Sequence, residues 1–343
     1  MEIIQVATGL ITIPPNGWGA VERLIWAYKQ GLEKLGHTVE IQYINQVEKR
    51  PNTIVHCHLA NLAIECRNKG IPYVYSLHDH HTEWYGKDSW IFKQNLEAMK
   101  GSIISFTHAE YLIDYFSETD KLFYLRHGAD IEFFTPDMDG GTSIYPSREH
   151  SLLMIANNGL AGNSGFDRKG FRYGIEAAKA LGLPITIAGT PDNEHFFDAH
   201  PDLREYDKLR LVLTNPTDEE TRELYRTHTM FLHPSMLEAG HPNLTLMEAA
   251  SACVPIIGTY RGTQHIYGMW VIPEPSTQNV IHGIEQTILT YVHRRNEMFE
   301  VRDSLSWDLV AKKLSQYYEL VHSIKDNNSE RVKELYFENY NNL

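Results

Sequence analysis

Short apolar runs alternate with longer amphipathic stretches along most of the chain, the pattern of parallel sheets covered on both faces by helices. Residues 3–9 read as a buried strand, 11–19 as a Pro/Gly loop and 20–35 as a helix. Leu24, Ile25, Tyr28, Leu32 and Leu35 form the apolar stripe of that helix. Gly36-His37 ends it, and a strand follows at 38–44. Further strands are predicted at 53–57, 73–78 and 102–107, with helices near 60–69, 92–100 and 109–116. A second series starts after Phe134-Thr135-Pro136. It comprises strands at 151–156, 184–188, 209–213, 230–233 and 254–258 and helices at 171–181, 218–227 and 243–253. The expected architecture is α/β: two Rossmann-like doubly wound parallel-sheet domains facing across a cleft. The domains are 1–136 and 151–320, joined by a Gly-containing linker at 137–150. The remaining 321–343 form a tail, helical or frayed.

Length and composition agree with this division. At 343 residues and 42% apolar, the chain is too long for one ordinary core and too apolar for disorder. A formal charge of −13 provides no global positive field, so no extended nucleic-acid surface is expected. Three scattered cysteines suit a reducing compartment. No apolar run approaches membrane-spanning length and no basic region precedes the N-terminal apolar stretch. The expectation is a cytoplasmic protein without signal peptide or transmembrane segment.

Open α/β sheets bind ligands at the carboxyl ends of their strands, and the candidate chemistry lies there. In residues 230–259, His233 ends a strand, Glu238 sits on the next loop, and Gly240-His241-Pro242-Asn243 leads into a helix with Leu244, Thr245 and Glu248. That helix start would suit a diphosphate, and the two carboxylates would suit sugar and ribose hydroxyls. The competing reading has Glu248 complementing the helix dipole and Glu238 merely solvated. In residues 157–171, a glycine loop is followed by Arg168-Lys169 at the start of another helix. Cations there oppose the dipole, a conflict that a bound diphosphate would resolve. The alternative is an ordinary solvated pair. In residues 76–90, His78, Asp79 and two more histidines end a strand. Without i,i+4 geometry they are read as a cleft-facing hydrogen-bonding group rather than a metal site. Trp84, Tyr85 and Trp90 could stack on a sugar or roof the domain. Consecutive side chains of His56-Cys57-His58 alternate faces, and this is read as excluding a chelate. Asp137-Met138-Asp139 is read as solvated linker charge.

Together these residues resemble the GT-B glycosyltransferases of the large retaining family, glycosyltransferase family 4. Glu238 and Glu248, within EAGHPNLTLMEA, match its loop-borne and helix-borne glutamates, with nine intervening residues where seven are usual. Lys169-Gly170 matches its Lys-Gly, and Gly17-Trp18-Gly19 its glycine loop. His78-Asp79 resembles its His-Asp, HGADIEFFTP its interdomain link, and Ser306-Trp307 with the helix to Tyr318 its closing segment. The resemblance implies a retaining, metal-independent transferase with no cofactor beyond a nucleotide-sugar co-substrate, UDP- or GDP-linked. The first domain would bind a carbohydrate or other hydroxyl acceptor through Asp79, Trp84 and Tyr85. The second would bind the donor through Arg168, Lys169, Glu238, Gly240, His241, Asn243, Leu244, Thr245 and Glu248, with Gly19 contributed by the first. His78, Lys169 and Glu238 would be catalytic. An epimerase of the same architecture, or a non-catalytic donor-binding subunit, remains the alternative.

Overall fold

The computed structural model describes residues 1–78, 81–136, 149–157, 166–236, 243–261, 266 and 268–323. The first sheet contains β1 (Glu2–Val6), β2 (Thr38–Gln42), β3 (Thr53–Cys57), β4 (Val74–Leu77), β5 (Ser105–Thr107) and β6 (Leu122–Tyr124), in the order β2-β1-β3-β4-β5-β6. The second contains β7 (Leu152–Ile155), β8 (Ile185–Ala188), β9 (Leu209–Val212), β10 (Met230–His233), β11 (Ile256–Thr259) and β12 (Met269–Ile272), in the order β12-β11-β10-β7-β8-β9. All of these pairings are parallel. Strands β4, β8 and β10 are buried throughout because helices cover both faces of the sheet. Edge strand β2 alternates instead, with Val39 buried between exposed Thr38 and Glu40. Strands β6 and β12 and the helices Thr277–Leu289 and Tyr291–Val301 complete the layers beyond those predicted.

Strand order reverses between β1 and β3 in the first sheet and between β7 and β10 in the second. Such switch points open a crevice at the carboxyl ends. The loops leaving these four strands are the ones that carry Gly17–Gly19, His58, Arg168-Lys169 and the approach to Glu248.

One domain assignment changes. Residues 307–320 were expected in the second domain, but the helix Trp307–Ser323 packs on the first. Its stripe of Val310, Leu314, Tyr317, Tyr318 and Val321 is buried with Leu24, Tyr28 and Leu32 of helix Ala20–Lys34 and with Ile3, Ile54 and Phe106 of the sheet. The apolar face left open on the first sheet is covered by the amphipathic stripe of this helix. The chain therefore passes between domains twice, and the passages bond side by side. The Ala129 amide donates to the Leu305 carbonyl (2.8 Å), and the Trp307 amide donates to the Ala129 carbonyl (3.2 Å). Most of the expected linker, 137–148, lies outside the described residues.

Candidate active site

On the second sheet, the loops after β7 and β10 lock together. The Arg168 carbonyl accepts from the Met236 amide (2.9 Å) and the Ser235 hydroxyl (3.2 Å). Gly170 has φ +72°, and a Cβ there would lie 2.4 Å from the Pro234 carbonyl oxygen, so this approach requires glycine. Arg168 and Lys169 are only 8% and 9% exposed, which excludes the ordinary solvated pair. The Arg168 guanidinium donates to the Asn157 carbonyl (3.2 Å). Their supposed conflict with the helix dipole is settled internally. The Asp167 carboxylate accepts from the Phe171 (3.0 Å) and Arg172 (2.8 Å) amides at the start of helix Phe171–Leu181. Burial raises the Asp167 pKa while these backbone bonds oppose the rise.

Asn243 caps the helix Leu244–Ser251. Its side-chain oxygen accepts from the Leu246 amide (3.0 Å), and its amide nitrogen donates to His233 Nε2 (3.0 Å), tying the helix start to the end of β10. The Thr245 hydroxyl donates to the same Asn243 oxygen (3.1 Å). The starts of helices Phe171–Leu181 and Leu244–Ser251 thus already hold a side-chain acceptor. The start of helix Ala20–Lys34, behind Gly19, has no side-chain cap.

Glu248, 8% exposed, projects from helix Leu244–Ser251 into a cavity of about 240 Å³ walled by both domains, including Pro15, Trp26, Gly128 and Asp218. Burial raises its pKa to about 7, against the opposing pull of Arg23 and the hydrogen bond from Tyr225 Oη (3.2 Å). Arg23, from the first domain, forks Asp218 of the second (2.6 and 2.8 Å) and donates to the Gly17 carbonyl (2.7 Å). The Trp18 amide donates to Asn215 Oδ1 (3.0 Å). A Cβ on Gly17 would lie 2.8 Å from that Asn215 oxygen, so the loop can reach the other domain only with glycine there.

A second bridge spans the far rim. Arg261 donates through both terminal nitrogens to Glu83 (2.7 and 2.8 Å) and lies 3.7 Å over the Tyr111 ring. Trp84 stacks on Phe166 at 5.1 Å between centroids, so this candidate acceptor platform also contacts the second domain. Trp84, Tyr85 and Trp90 remain at least half exposed. None of Arg23, Asp218, Tyr225 or Arg261 was singled out from sequence, because their partners lie far away along the chain.

On the first sheet, His78 belongs to an array. His56, His58, His78, His108 and His127 sit at or just beyond the ends of β3, β4, β5 and β6. Successive ring centroids lie 4.4, 5.3, 4.9 and 4.3 Å apart. His78 and His108 are level on neighbouring strands, and each of the others lies two residues away from the next along the same face. His56-Cys57-His58 alternates as expected: the two histidines share a face, and Cys57 points the other way, towards Cys66. Burial first, then the neighbouring imidazoles, hold His56, His58 and His78 well below the usual histidine pKa. Burial brings His108 to about 4. These four imidazoles are therefore neutral at pH 7. The rings of the array stack rather than converge, and the described residues include no group of three or more His, Cys, Asp or Glu able to hold a metal ion.

Asp79, Glu238, Gly240 and His241 lie outside the described residues, as does Asp137-Met138-Asp139. No helix among the described residues is long and apolar enough to cross a membrane.

No family model matches the chain. Its sequence is similar to a Bacillus subtilis (strain 168) protein named "Putative glycosyltransferase EpsF", 24% identical over 225 residues. That alignment covers 61% of this chain and 58% of the relative, less than two-thirds of its length. Its structure is similar to sucrose-phosphate synthase from Thermosynechococcus elongatus (TM-score 0.73, 12% identity, covering 94% of this chain and 99% of that one). It is also similar to the catalytic domain of Arabidopsis thaliana starch synthase IV bound to ADP and acarbose (0.69, 13%, 94% and 99%). Anabaena HepE in complex with UDP and glucose is a third such structure (0.69, 11%, 94% and 100%). With two parallel-sheet domains meeting at their strand ends, the chain has the GT-B fold.

Proposed function

We propose that the chain is a retaining glycosyltransferase that moves a sugar from a UDP- or GDP-linked donor to an acceptor hydroxyl without a metal. The observation that carries this reading is the packing of the buried Arg168-Lys169 pair against residues 234–236, at the strand ends where buried Glu248 also meets the first domain. Lys169 and Arg168 neutralise the diphosphate as the glycosidic bond breaks, the charge role that a metal fills elsewhere. Glu248 accepts from the ribose hydroxyls once ionised, and Glu238 from the transferred sugar. Gly19, Gly240, His241, Asn243, Leu244 and Thr245 surround the donor. His78 hydrogen-bonds the reacting sugar, while Asp79, Trp84 and Tyr85 serve the acceptor. Bond cleavage and acceptor attack occur on the same face of the sugar, and the departing phosphate takes the acceptor proton.

An anionic ligand would bring negative charge to two cations buried beside the cleft, where charge–charge attraction is stronger than in water. The test is transfer from a panel of nucleotide sugars by wild type, Lys169→Ala and Glu248→Ala. Wild-type transfer lost in both variants supports the proposal; full activity in both removes the donor site. Donor incubated alone and returned as an isomerised sugar would establish the epimerase instead.

A further inference from the structure

Behind His78 runs a buried hydrogen-bond chain. His78 Nε2 lies 3.0 Å from His58 Nδ1, and His58 Nε2 lies 2.7 Å from Gln5 Oε1. Gln5 Nε2 donates to Tyr318 Oη (3.2 Å), which lies 2.6 Å from His56 Nδ1. His56 Nε2 lies 2.8 Å from Ser76 Oγ. Gln5, His56, His58, Ser76 and Tyr318 are all at most 1% exposed, so a mismatched donor or acceptor would leave a buried polar group unpaired.

The Gln5 amide sets the polarity. Its oxygen can only accept, so His58 carries its proton on Nε2, and a neutral imidazole has no second N–H. His58 Nδ1 then accepts from His78 Nε2–H, which leaves His78 Nδ1 unprotonated. On the other side, Tyr318 accepts from Gln5 and gives its single proton to His56 Nδ1, whose Nε2–H goes to Ser76. With the Gln5 amide oxygen towards His58 and its nitrogen towards Tyr318, each group has one consistent role.

We propose that Gln5, His58 and Tyr318 are positioning residues that hold His78 in its Nε2–H tautomer, so that Nδ1 accepts a hydrogen bond from a hydroxyl of the donor sugar. This rests on the transferase reading for its substrate. It also narrows the substrate class. An acceptor at this point suits a neutral hexose carrying a hydroxyl, whereas the carboxylate of a hexuronate would set acceptor against acceptor. Tyr318 belongs to the crossing helix, so a residue 313 positions after Gln5 helps to fix the tautomer.

The test is ¹⁵N NMR of the full-length chain labelled at histidine, with His78→Gln used to assign the His78 signals. Wild type should show a pyridine-type Nδ1 and a pyrrole-type Nε2. Gln5→Met should give a mixture of tautomers, and Gln5→Glu, which keeps an acceptor on His58, should restore the wild-type signature. Tyr318→Phe should shift the balance less. In transfer assays, Gln5→Met should lower the hexose-over-hexuronate ratio of kcat/KM about tenfold, the value of one buried hydrogen bond. A wild-type His78 protonated at Nδ1, or an unchanged tautomer in Gln5→Met, overturns the proposal. The wild-type spectrum decides the polarity even if Gln5→Met does not fold. Absence of any transfer by wild type would overturn the transferase reading and leave the tautomer result standing.

Discussion

The two strand-end surfaces facing each other across the cleft solve different electrostatic problems. On the second domain, two cations and a carboxylate are buried at the loops after β7 and β10 and on the following helix. On the first, five imidazoles line one face at the strand ends, and burial keeps His56, His58, His78 and His108 uncharged at pH 7. On the proposed function, the second lobe is organised around charge, which suits a leaving group that becomes more negative. The opposite lobe is organised around the direction of hydrogen bonds, which suits hydroxyls. A charged His78 would lose its acceptor; burial among other histidines prevents this.

The comparison breaks most readily at Lys169. Lys169→Ala should raise the barrier by about 2.7–4 kcal/mol, roughly 10² to 10³ in kcat, whereas His78→Ala should cost about tenfold, the value of a neutral hydrogen bond. Equal losses in steady-state assays would mean that the lobes do not divide the work this way.

Acid should separate the lobes next. His108 has a folded pKa of about 4, below its unfolded value of about 6.5, so the unfolded chain binds the extra proton between these values. Its contribution is intact above pH 6.5 and is lost as pH falls towards 4, on the order of 3 kcal/mol. Glu248 works in the opposite direction: raised to about 7, it favours the folded state at low pH and loses that contribution as pH rises from 4.5 to 7. Urea unfolding from pH 7 to 4.5 should show a net loss of stability that His108→Gln diminishes. A flat profile in wild type would contradict a buried neutral array.

Glu248 gives a binding test as well. Ribose hydroxyls need the ionised carboxylate, so nucleoside diphosphate affinity should rise about tenfold between pH 6 and 8, following the ionised fraction of a group titrating near 7. Titration calorimetry on Glu248→Gln should show weaker binding with that dependence removed.

The smallest effect belongs to the rim. The Arg261–Glu83 bridge is partly exposed, so Arg261→Ala should cost less than about 1 kcal/mol. It should appear as a two- to threefold rise in donor KM and in donor hydrolysis relative to transfer. A loss approaching that of Lys169→Ala would give Arg261 a direct role at the diphosphate.

Local periodicity made much of this fold legible. Strand β3 and the helices Phe171–Leu181 and Asp218–Thr227 fall at their predicted positions because each combines an apolar pattern with clear end signals. Thr217, for example, forms a capping box with Glu220. Strand β6, only three residues long, offers too few positions for a period. At the site, the Arg168-Lys169 pair stood out by its conflict with a helix start, but the answer to that conflict, Asp167, lay one residue earlier. The array of histidines was within reach of the period-two rule, since His56, His58, His78, His108 and His127 all occupy the same face at strand ends. What sequence could not supply was lateral register, which places those positions beside one another. Pairings such as Arg23–Asp218 and Gln5–Tyr318 likewise arise only from the tertiary fold.

The return of helix Trp307–Ser323 to the first domain carries a consequence for biogenesis. During synthesis, the first sheet emerges with one apolar flank bare and must wait while the entire second domain is translated before Val310, Leu314 and Tyr318 arrive to cover it. Separating the halves at the linker would therefore yield an amino-terminal fragment prone to aggregate, and a workable dissection has to graft the final helix back onto it.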